Sequence, residues 1–153
     1  MSPRTSGRPP TRTSRSPWNA RSGGRSPVVV PAGVRAAIVA HATEELPDEA
    51  CGLVLFEGDV AVEYVRGRNA SPSPYHFELE IDPIAWADLN DRDVTQAVFH
   101  SHISSPPRPS RTDVQNIGLW AGEPYLIYTI RTDELAAWRI VESGIEAIPL
   151  GSR

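Results

Sequence analysis

Apolar and polar positions change their spacing several times along this chain, and each change marks a predicted element. Val28 to Val30 form a short apolar run that predicts a strand. After Pro31, apolar residues recur at helical spacing through "AGVRAAIVAHATEEL", and a proline at this place suits the first turn of a helix. Pro47 ends this first helix, because the residue before a proline disfavours the helical conformation.

The next part of the chain predicts three strands. "ACGLVLF" is a continuous apolar run typical of a buried strand, and the turn "EGD" leads into a second strand, "VAVEYVR". The alternation of apolar and polar residues in "YHFELEI" predicts a third strand. Strands joined by such short turns indicate hairpins rather than long crossovers.

Helices and strands are intermingled in the second half. Asp82 as N-cap and Pro83 in the first turn predict a second helix over "DPIAWADLND". "TQAVFHSH" predicts a strand, and "SRTDVQNIGLWAG" a third helix that ends at Gly122. "PYLIYTI" and "LAAWRIV" are expected to pair across "RTDE", with "GIEAIPL" as the last strand. The fold class is therefore α/β: a single domain over residues 28–153, with a mixed, mostly antiparallel sheet flanked by helices.

Residues 1–27 differ from the rest in composition and charge. They are rich in Ser, Pro, Arg and Gly, with Trp18 as their one aromatic residue, and they hold six arginines and no acidic residue. Removing those six from the formal net charge of −4 leaves −10 for residues 28 to 153. Because these residues can bury little apolar surface, burial cannot offset the conformational entropy lost on ordering. We therefore predict a disordered tail. A functional interpretation is an arm that binds nucleic acid or an acidic partner. The simpler interpretation is a spacer, or a start codon assigned too far upstream. Nothing in residues 28–153 predicts the recognition of nucleic acid.

The composition limits the class of protein. A chain of 153 residues with 40% hydrophobic and 22% charged residues is typical of one globular domain. No apolar run approaches the roughly 20 residues that a membrane span needs, and the arginine-rich start has no apolar segment of a secretory signal. The single cysteine, Cys51, excludes an internal disulfide and is compatible with a reducing compartment, so we expect a cytoplasmic protein.

The candidate chemistry lies in "HSHISSPPRPSRTD", residues 100 to 113. His100 and His102 are two positions apart on a predicted strand, so both imidazoles leave the same face of the sheet. Asp113 returns at the first turn of the next helix and can supply an oxygen. Two histidines and one carboxylate leave a fourth tetrahedral position for water, which is the pattern of catalytic zinc.

Each part of this pattern also has a simpler interpretation. One imidazole could be a satisfied core group and the other an exposed one. Ser110 and Asp113 fit a capping box, in which the Ser110 hydroxyl accepts a hydrogen bond from the backbone N–H of Asp113. The two interpretations are compatible, because a cap would fix the helix start and hold Asp113 in place. The full spacing H-x-H-x7-S-x2-D is much less expected by chance than either part.

This spacing resembles the signature of the JAMM (MPN-plus) metalloproteases. "PDEACGLV" supplies the upstream glutamate of that family as Glu49, and "DEACG", "HSH", "PSRTDV" and "WRIV" most resemble its short stand-alone actinobacterial members called Mec. The resemblance covers most of residues 28 to 150 and implies an MPN fold related to cytidine deaminases. One departure is Ile103, where many relatives have proline after the second histidine; it affects only the shape of the loop.

The resemblance implies a role for each matching residue. His100, His102 and Asp113 would hold one zinc ion, Glu49 would take a proton from the attacking water and pass it to the leaving amine, and Ser110 would hydrogen-bond the developing oxyanion. For Glu49 the simpler interpretation is an exposed charge after Pro47. Cys51 is expected to be a small buried core residue without a role.

The resemblance also implies the kind of substrate. Such enzymes cut amide or isopeptide bonds after the C-terminal Gly-Gly of ubiquitin-like proteins, and Mec-like members remove cysteine from a small sulfur carrier. Three hypotheses stay open: a zinc peptidase that releases cysteine from a Gly-Gly-tailed carrier; the same chemistry on another ubiquitin-like conjugate or in secondary metabolism; and a non-catalytic MPN interaction module. The tail of a carrier could add as a strand at a sheet edge.

Overall fold

A six-stranded sheet forms the centre of the protein. The computed structural model describes residues 27–71 and 77–151. Its strands are β1 (Cys51–Glu57), β2 (Val60–Arg66), β3 (Arg68–Asn69), β4 (Leu79–Glu80), β5 (Thr95–His102), β6 (Pro124–Thr129), β7 (Glu134–Val141) and β8 (Gly144–Ile148). The main sheet has the order β2-β1-β5-β6-β7-β8, and β3 pairs with β4 in a separate small sheet.

Neighbouring strands of the main sheet are antiparallel except at its centre, where β5 and β6 are parallel. Parallel neighbours need a crossover connection, and here residues 103–123 supply it. The predicted α/β domain with a mixed, mostly antiparallel sheet is therefore confirmed. β5, which carries both histidines, lies between β1 and β6 and is buried along most of its length.

Short helices connect and cover the strands. They are α1 (Ala32–Glu44), α2 (Pro83–Asn90), α3 (Arg111–Gln115) and a 3₁₀ turn at Gly118–Trp120. The Asp82 side chain accepts a hydrogen bond from the Ala85 N–H at 3.1 Å, so the predicted N-cap of the second helix is confirmed. Within the described residues, the helices are too short or too polar to cross a bilayer.

The two faces of β5 have different surroundings. Ala97 and Phe99 point into the core beneath α1, together with Ile38 and Leu126. Because side chains alternate along a strand, the histidines point to the opposite face, the one on which Val98 belongs to a second core cluster. The metal-ligand candidates therefore lie away from α1, on the side covered by residues 77–79 and 114–120.

One glycine is required by close packing near the site. A Cβ on Gly52 would collide with the carbonyl oxygen of Val65 and with the ring and hydroxyl of Tyr64 on β2. The Tyr64 hydroxyl in turn lies 2.6 Å from Nδ1 of His41, a buried residue of α1. The glycine of "DEACG" thus lets β2 lie against β1 just after the segment that carries Glu49.

Three predicted elements differ in the structure. The predicted third helix, Ser110 to Gly122, is wrong as one helix: α3 ends at Gln115, and Gly118 turns the chain with φ of 49° before the 3₁₀ turn. Val28 and Val29 make only isolated bridges, because they pair with different partners, Leu150 and Val60.

The predicted strand "YHFELEI" is the third difference. Only Leu79–Glu80 pairs, with β3, because Phe77 turns instead onto the ring of His100. Tyr75 and His76 lie outside the described residues. Most of the predicted tail, residues 1–26, lies outside them too, and its boundary and disorder stay predictions.

Candidate metal centre

The two histidines occupy the buried end of β5. His100 has no exposed surface and His102 is 4% exposed. β1 fixes the position of His100 by antiparallel pairing with Cys51, and β6 fixes that of His102 by parallel pairing opposite Thr129. A strand held on both sides gives the two imidazoles a rigid base.

Asp113 reaches the histidines from the first turn of α3. Ser110 is the N-cap: its hydroxyl accepts from the Asp113 N–H at 3.0 Å, and the Asp113 carboxylate accepts from the Ser110 N–H at 2.8 Å. The capping box that the sequence predicts is therefore present, and it holds the Asp113 side chain in its buried position. The structural interpretation of this pair is confirmed, and it is compatible with the predicted role of Asp113 as a metal ligand.

The three side chains meet at one point. Nε2 of His100 lies 3.1 Å from Nε2 of His102, and Oδ2 of Asp113 lies 3.3 Å from each of these nitrogens. In a tetrahedral zinc site, two ligand atoms about 2.0 Å from the metal are about 3.3 Å apart. The spacing of these atoms thus fits three corners of such a site, with the fourth left for a non-protein ligand.

The hydrogen bond of His102 sets which of its nitrogens can bind a metal. Nδ1 lies 2.8 Å from the carbonyl oxygen of Pro106, which can only accept, so Nδ1 carries the proton. In the neutral ring Nε2 then has a free lone pair, directed at Asp113 and His100. This is how protein zinc ligands are commonly oriented, with the second nitrogen bonded to a carbonyl or carboxylate.

Burial and mutual contacts shift the pKa of these groups. Burial lowers the pKa of His100, which favours the neutral ring that a metal requires. For Asp113, burial acts to raise the pKa, but the contacts of its carboxylate with the His100 and His102 rings outweigh burial and hold the pKa well below its usual range. The pKa of His102 is raised, although burial opposes this, because Asp113 and the Pro106 carbonyl stabilise its protonated form.

Glu49 lies beside this triad, in the segment between α1 and β1. It is half-buried, and its Oε1 is buried without a hydrogen-bond partner among the described residues. Burial raises the pKa of Glu49 to about 7, with a smaller opposing effect from His102 and a reinforcing one from Asp113. A carboxyl group with a pKa near neutrality is suited to taking and releasing a proton.

Two other buried residues with metal-binding side chains, Cys51 and His41, lie outside the ligand group. Cys51 is fully buried, and burial raises the pKa of its thiol to about 12, so it stays protonated, as expected for a core residue. His41 is also buried, but it bonds to Tyr64 on the α1 side of the sheet. Within the described residues, the group of three or more ligand-type side chains close enough to hold a metal is His100, His102 and Asp113.

The proline-rich loop after His102 is attached through consecutive carbonyl groups. The oxygens of Ser105, Pro106 and Pro107 each accept one side-chain hydrogen bond, from Thr129 at 2.7 Å, His102 at 2.8 Å and Trp138 at 2.8 Å. Prolines have no N–H to donate, so this loop is held through its oxygens. Thr129 and Trp138 thus hold the residues on either side of Pro106, whose carbonyl orients the His102 ring.

Trp138→Phe should weaken zinc binding about tenfold while leaving the fold intact. The change removes the indole N–H that holds the Pro107 carbonyl but keeps an aromatic ring under the Arg108 guanidinium, which lies 5.2 Å from the ring centre. Loss of a hydrogen-bond partner behind a metal ligand typically costs 10–100-fold in affinity, and Trp138 acts one peptide further away. Zinc competition against a coloured chelator measures this.

Trp86→Phe is the control for the loss of an indole. Trp86 packs edge-on against Trp120 and makes none of the three side-chain hydrogen bonds that hold the proline-rich loop, so its replacement should leave zinc affinity unchanged. Equal affinities of wild type and Trp138→Phe would show that the loop needs no support from Trp138.

A cavity of about 410 Å³ adjoins the metal-ligand candidates. Phe77 stacks on the ring of His100 with centroids 4.4 Å apart, and Tyr125 lies 5.4 Å from that ring. Both also line the cavity, together with Ile117 and Trp120. Phe77 and Tyr125 therefore contact both the His100 ring and the cavity.

The structure brings together the three metal-ligand candidates that the sequence predicts, whereas the residues that support them were missed. Phe77, Tyr125 and Trp138 were assigned only to strands, and Ser101 was not considered. A signal was available for Trp138, because a tryptophan with its polar N–H on a strand needs a partner. No comparable signal marks the others, because their contacts depend on tertiary packing.

Comparison with known proteins identifies the family. A family model described as prokaryotic homologs of the JAB domain matches residues 31–141. The chain belongs to this family. It is also 34% identical over 134 residues to the CysO-cysteine peptidase of Mycobacterium bovis and of Mycobacterium tuberculosis, covering 80% of this chain and 89% of the relative.

Solved structures agree with this assignment. A solution structure of a protein from Desulfitobacterium hafniense has a TM-score of 0.70 and 25% identity, and covers 82% of this chain and 92% of that one. A JAB1/MPN domain protein from Archaeoglobus fulgidus has a TM-score of 0.56 at 21% identity, covering 82% and 98%, and shows the shared fold. Family and peptidase relative together make this chain a JAMM-type peptidase, which removes the non-catalytic module from consideration.

Proposed function

We propose that this protein is a zinc-dependent peptidase in which His100, His102 and Asp113 hold one zinc ion. The observation that most supports this is the meeting of Nε2, Nε2 and Oδ2 at 3.1 to 3.3 Å, with the Nδ1 proton of His102 already committed to a carbonyl. When bound, zinc would lower the pKa of a coordinated water to about 7 and polarise the scissile carbonyl.

Glu49 and Ser110 would supply the proton transfers and part of the charge stabilisation. The Glu49 carboxylate accepts a proton from the attacking water and releases it to the leaving amine, a task suited to its pKa of about 7. The Ser110 hydroxyl accepts one bond from the Asp113 N–H, so its own proton is free to be donated to the developing oxyanion. Its exposed position leaves it accessible to substrate.

The substrate we propose is a small ubiquitin-like sulfur carrier that ends in Gly-Gly followed by cysteine. The name of the mycobacterial relatives, CysO-cysteine peptidase, supports cysteine as the leaving group. The loop between His102 and Ser110 supports a short leaving group. It has only seven residues and is hydrogen-bonded to β7, so it does not extend outward to hold a second protein. Glycines would let the carrier tail pass close to the metal ligands.

The same geometry could hydrolyse a lysine-linked isopeptide on another ubiquitin-like protein, so the test compares the two bonds. The enzyme is incubated with a carrier ending in Gly-Gly-Cys and, separately, with a lysine-linked Gly-Gly conjugate, and intact masses are followed. We expect the first carrier to lose one cysteine mass, the loss to stop with a zinc chelator, and added zinc to restore it. A surviving cysteine adduct beside a cut isopeptide would replace the proposed substrate with the alternative.

We place this reaction in the cytoplasm. Supporting this, the single cysteine of the chain, Cys51, is buried and free, and proteins of a reducing compartment rarely carry disulfides.

A further inference from the structure

The peptide group between Glu49 and Ala50 is held at both ends by side chains from other elements. The Asn69 Nδ2 donates to the Glu49 carbonyl oxygen at 3.1 Å. The Ala50 N–H donates to the Ser101 hydroxyl oxygen at 2.8 Å. These two hydrogen bonds act on the carbonyl and the N–H of one planar unit, so they fix its orientation.

Ser101 lies between the two histidines of β5 and points to the other face of the strand. It has no exposed surface, and its own N–H donates to the Ala50 carbonyl at 2.9 Å. Ser101 and Ala50 are therefore joined by two hydrogen bonds. The segment that carries Glu49 is bonded directly to the strand that carries His100 and His102.

Asn69 holds the other end from β3. Its Oδ1 accepts from the N–H groups of Ser71 and Glu78, both at 3.0 Å. Two donors on Oδ1 fix the orientation of the amide, so its Nδ2 must face the Glu49 carbonyl. The side chain of Asn69 thus connects the small sheet with the segment of Glu49.

Within the described residues, the Glu49 carboxylate has no comparable attachment of its own. Its Oε1 is buried without a hydrogen-bond partner among the described residues. The direction of the side chain therefore depends on the backbone from which it starts. A rotation of the Glu49–Ala50 peptide would move the carboxylate relative to the metal ligands.

We propose that Ser101 and Asn69 are positioning residues for Glu49, and this rests on the proposed role of Glu49 as general base. They act by fixing one peptide group, not by contact with substrate or metal. A small displacement of a catalytic group can cost up to about 100-fold in rate. We expect Ser101→Ala and Asn69→Asp each to lower kcat about tenfold, with KM and the zinc content unchanged.

Asn69→Asp is the more selective variant. It keeps an oxygen for the Ser71 and Glu78 N–H groups, and it replaces the donor to the Glu49 carbonyl by a charged oxygen that cannot donate. Asn90→Asp is the matched control, because Asn90 at the end of α2 accepts from Gln96 Nε2 at 3.2 Å and lies outside the site. It should leave kcat unchanged.

The deciding experiment is a double-mutant cycle with Glu49→Gln, using the Gly-Gly-Cys carrier, long incubations and intact-mass detection. If Ser101 and Asn69 act through Glu49, their replacement should change the residual rate of Glu49→Gln by less than about twofold. Hydrogen exchange of the Ala50 amide in zinc-free protein gives a second readout. Exchange should be at least tenfold faster in Ser101→Ala than in wild type.

Three results would overturn the proposal, and they differ in what else they affect. Equal rate losses in the wild-type and Glu49→Gln backgrounds, or loss of zinc in both variants, would show a merely structural role and leave the proposed function standing. Wild-type activity of Glu49→Gln alone would remove Glu49 from the mechanism and overturn both proposals.

Discussion

Glu49→Gln should retain the fold and a full complement of zinc while losing hydrolysis by about 10² to 10⁴-fold. The amide has nearly the same shape as the carboxylate but cannot accept a proton, and general acid–base groups typically contribute this factor. The loss should appear in kcat, because the group acts on the reacting water and leaving amine. Rates on the Gly-Gly-Cys carrier, together with metal analysis of the same sample, measure both expectations.

Asp48→Asn is the control for the loss of a carboxylate next to the site. Asp48 is exposed and precedes Glu49 by one position, so its replacement changes the same net charge without touching the buried oxygen. Its activity should stay near that of wild type. A Glu49→Gln enzyme as active as wild type would exclude this residue as the base.

His102→Ala should abolish both zinc binding and the stabilisation that zinc provides. The replacement removes one of the three proposed ligands, whose Nε2 lies within 3.3 Å of the ligand atoms of both others. A ligand that binds only the folded state stabilises it by RT ln(1 + [L]/Kd), or about 4 kcal/mol at a thousandfold excess over Kd. Thermal unfolding of wild type should therefore shift upward with zinc, whereas His102→Ala should show no shift.

His41→Gln is the matched control for the loss of a buried imidazole. Its ring bonds to Tyr64 on the other face of the sheet, so this variant should be less stable than wild type but still be stabilised by zinc. Full zinc occupancy in His102→Ala would show that the ligand assignment is wrong.

The elements that sequence periodicity predicts are those with long apolar patterns. The strands around Leu53, Phe99 and Leu126 have apolar residues at consecutive positions because each strand is covered on both faces. The prediction of a single helix from Ser110 to Gly122 was wrong because the end of that helix is not determined by an apolar pattern. Its cap was correctly predicted from local chemistry, but its end depends on Gly118 and on packing of Trp120, which no periodicity encodes.

The candidate site could be proposed from sequence because its spacing follows from local geometry. Alternation along β5 brings the two histidines to one face, and the capping box brings Asp113 toward them. Its supports could not be predicted in this way. Asn69 and Trp138 contact it from strands that are distant in sequence. Their partners are backbone carbonyl groups, which every residue has, so the sequence does not mark them.

Anomalous diffraction at the zinc edge, from crystals of the protein purified with zinc, tests the central claim most directly. We predict one anomalous peak per chain, about 2.0 to 2.2 Å from Nε2 of His100, Nε2 of His102 and a carboxylate oxygen of Asp113, with the fourth position held by solvent. A peak located elsewhere, or a fourth ligand supplied by the protein so that no open position remains, would contradict a catalytic zinc at this site.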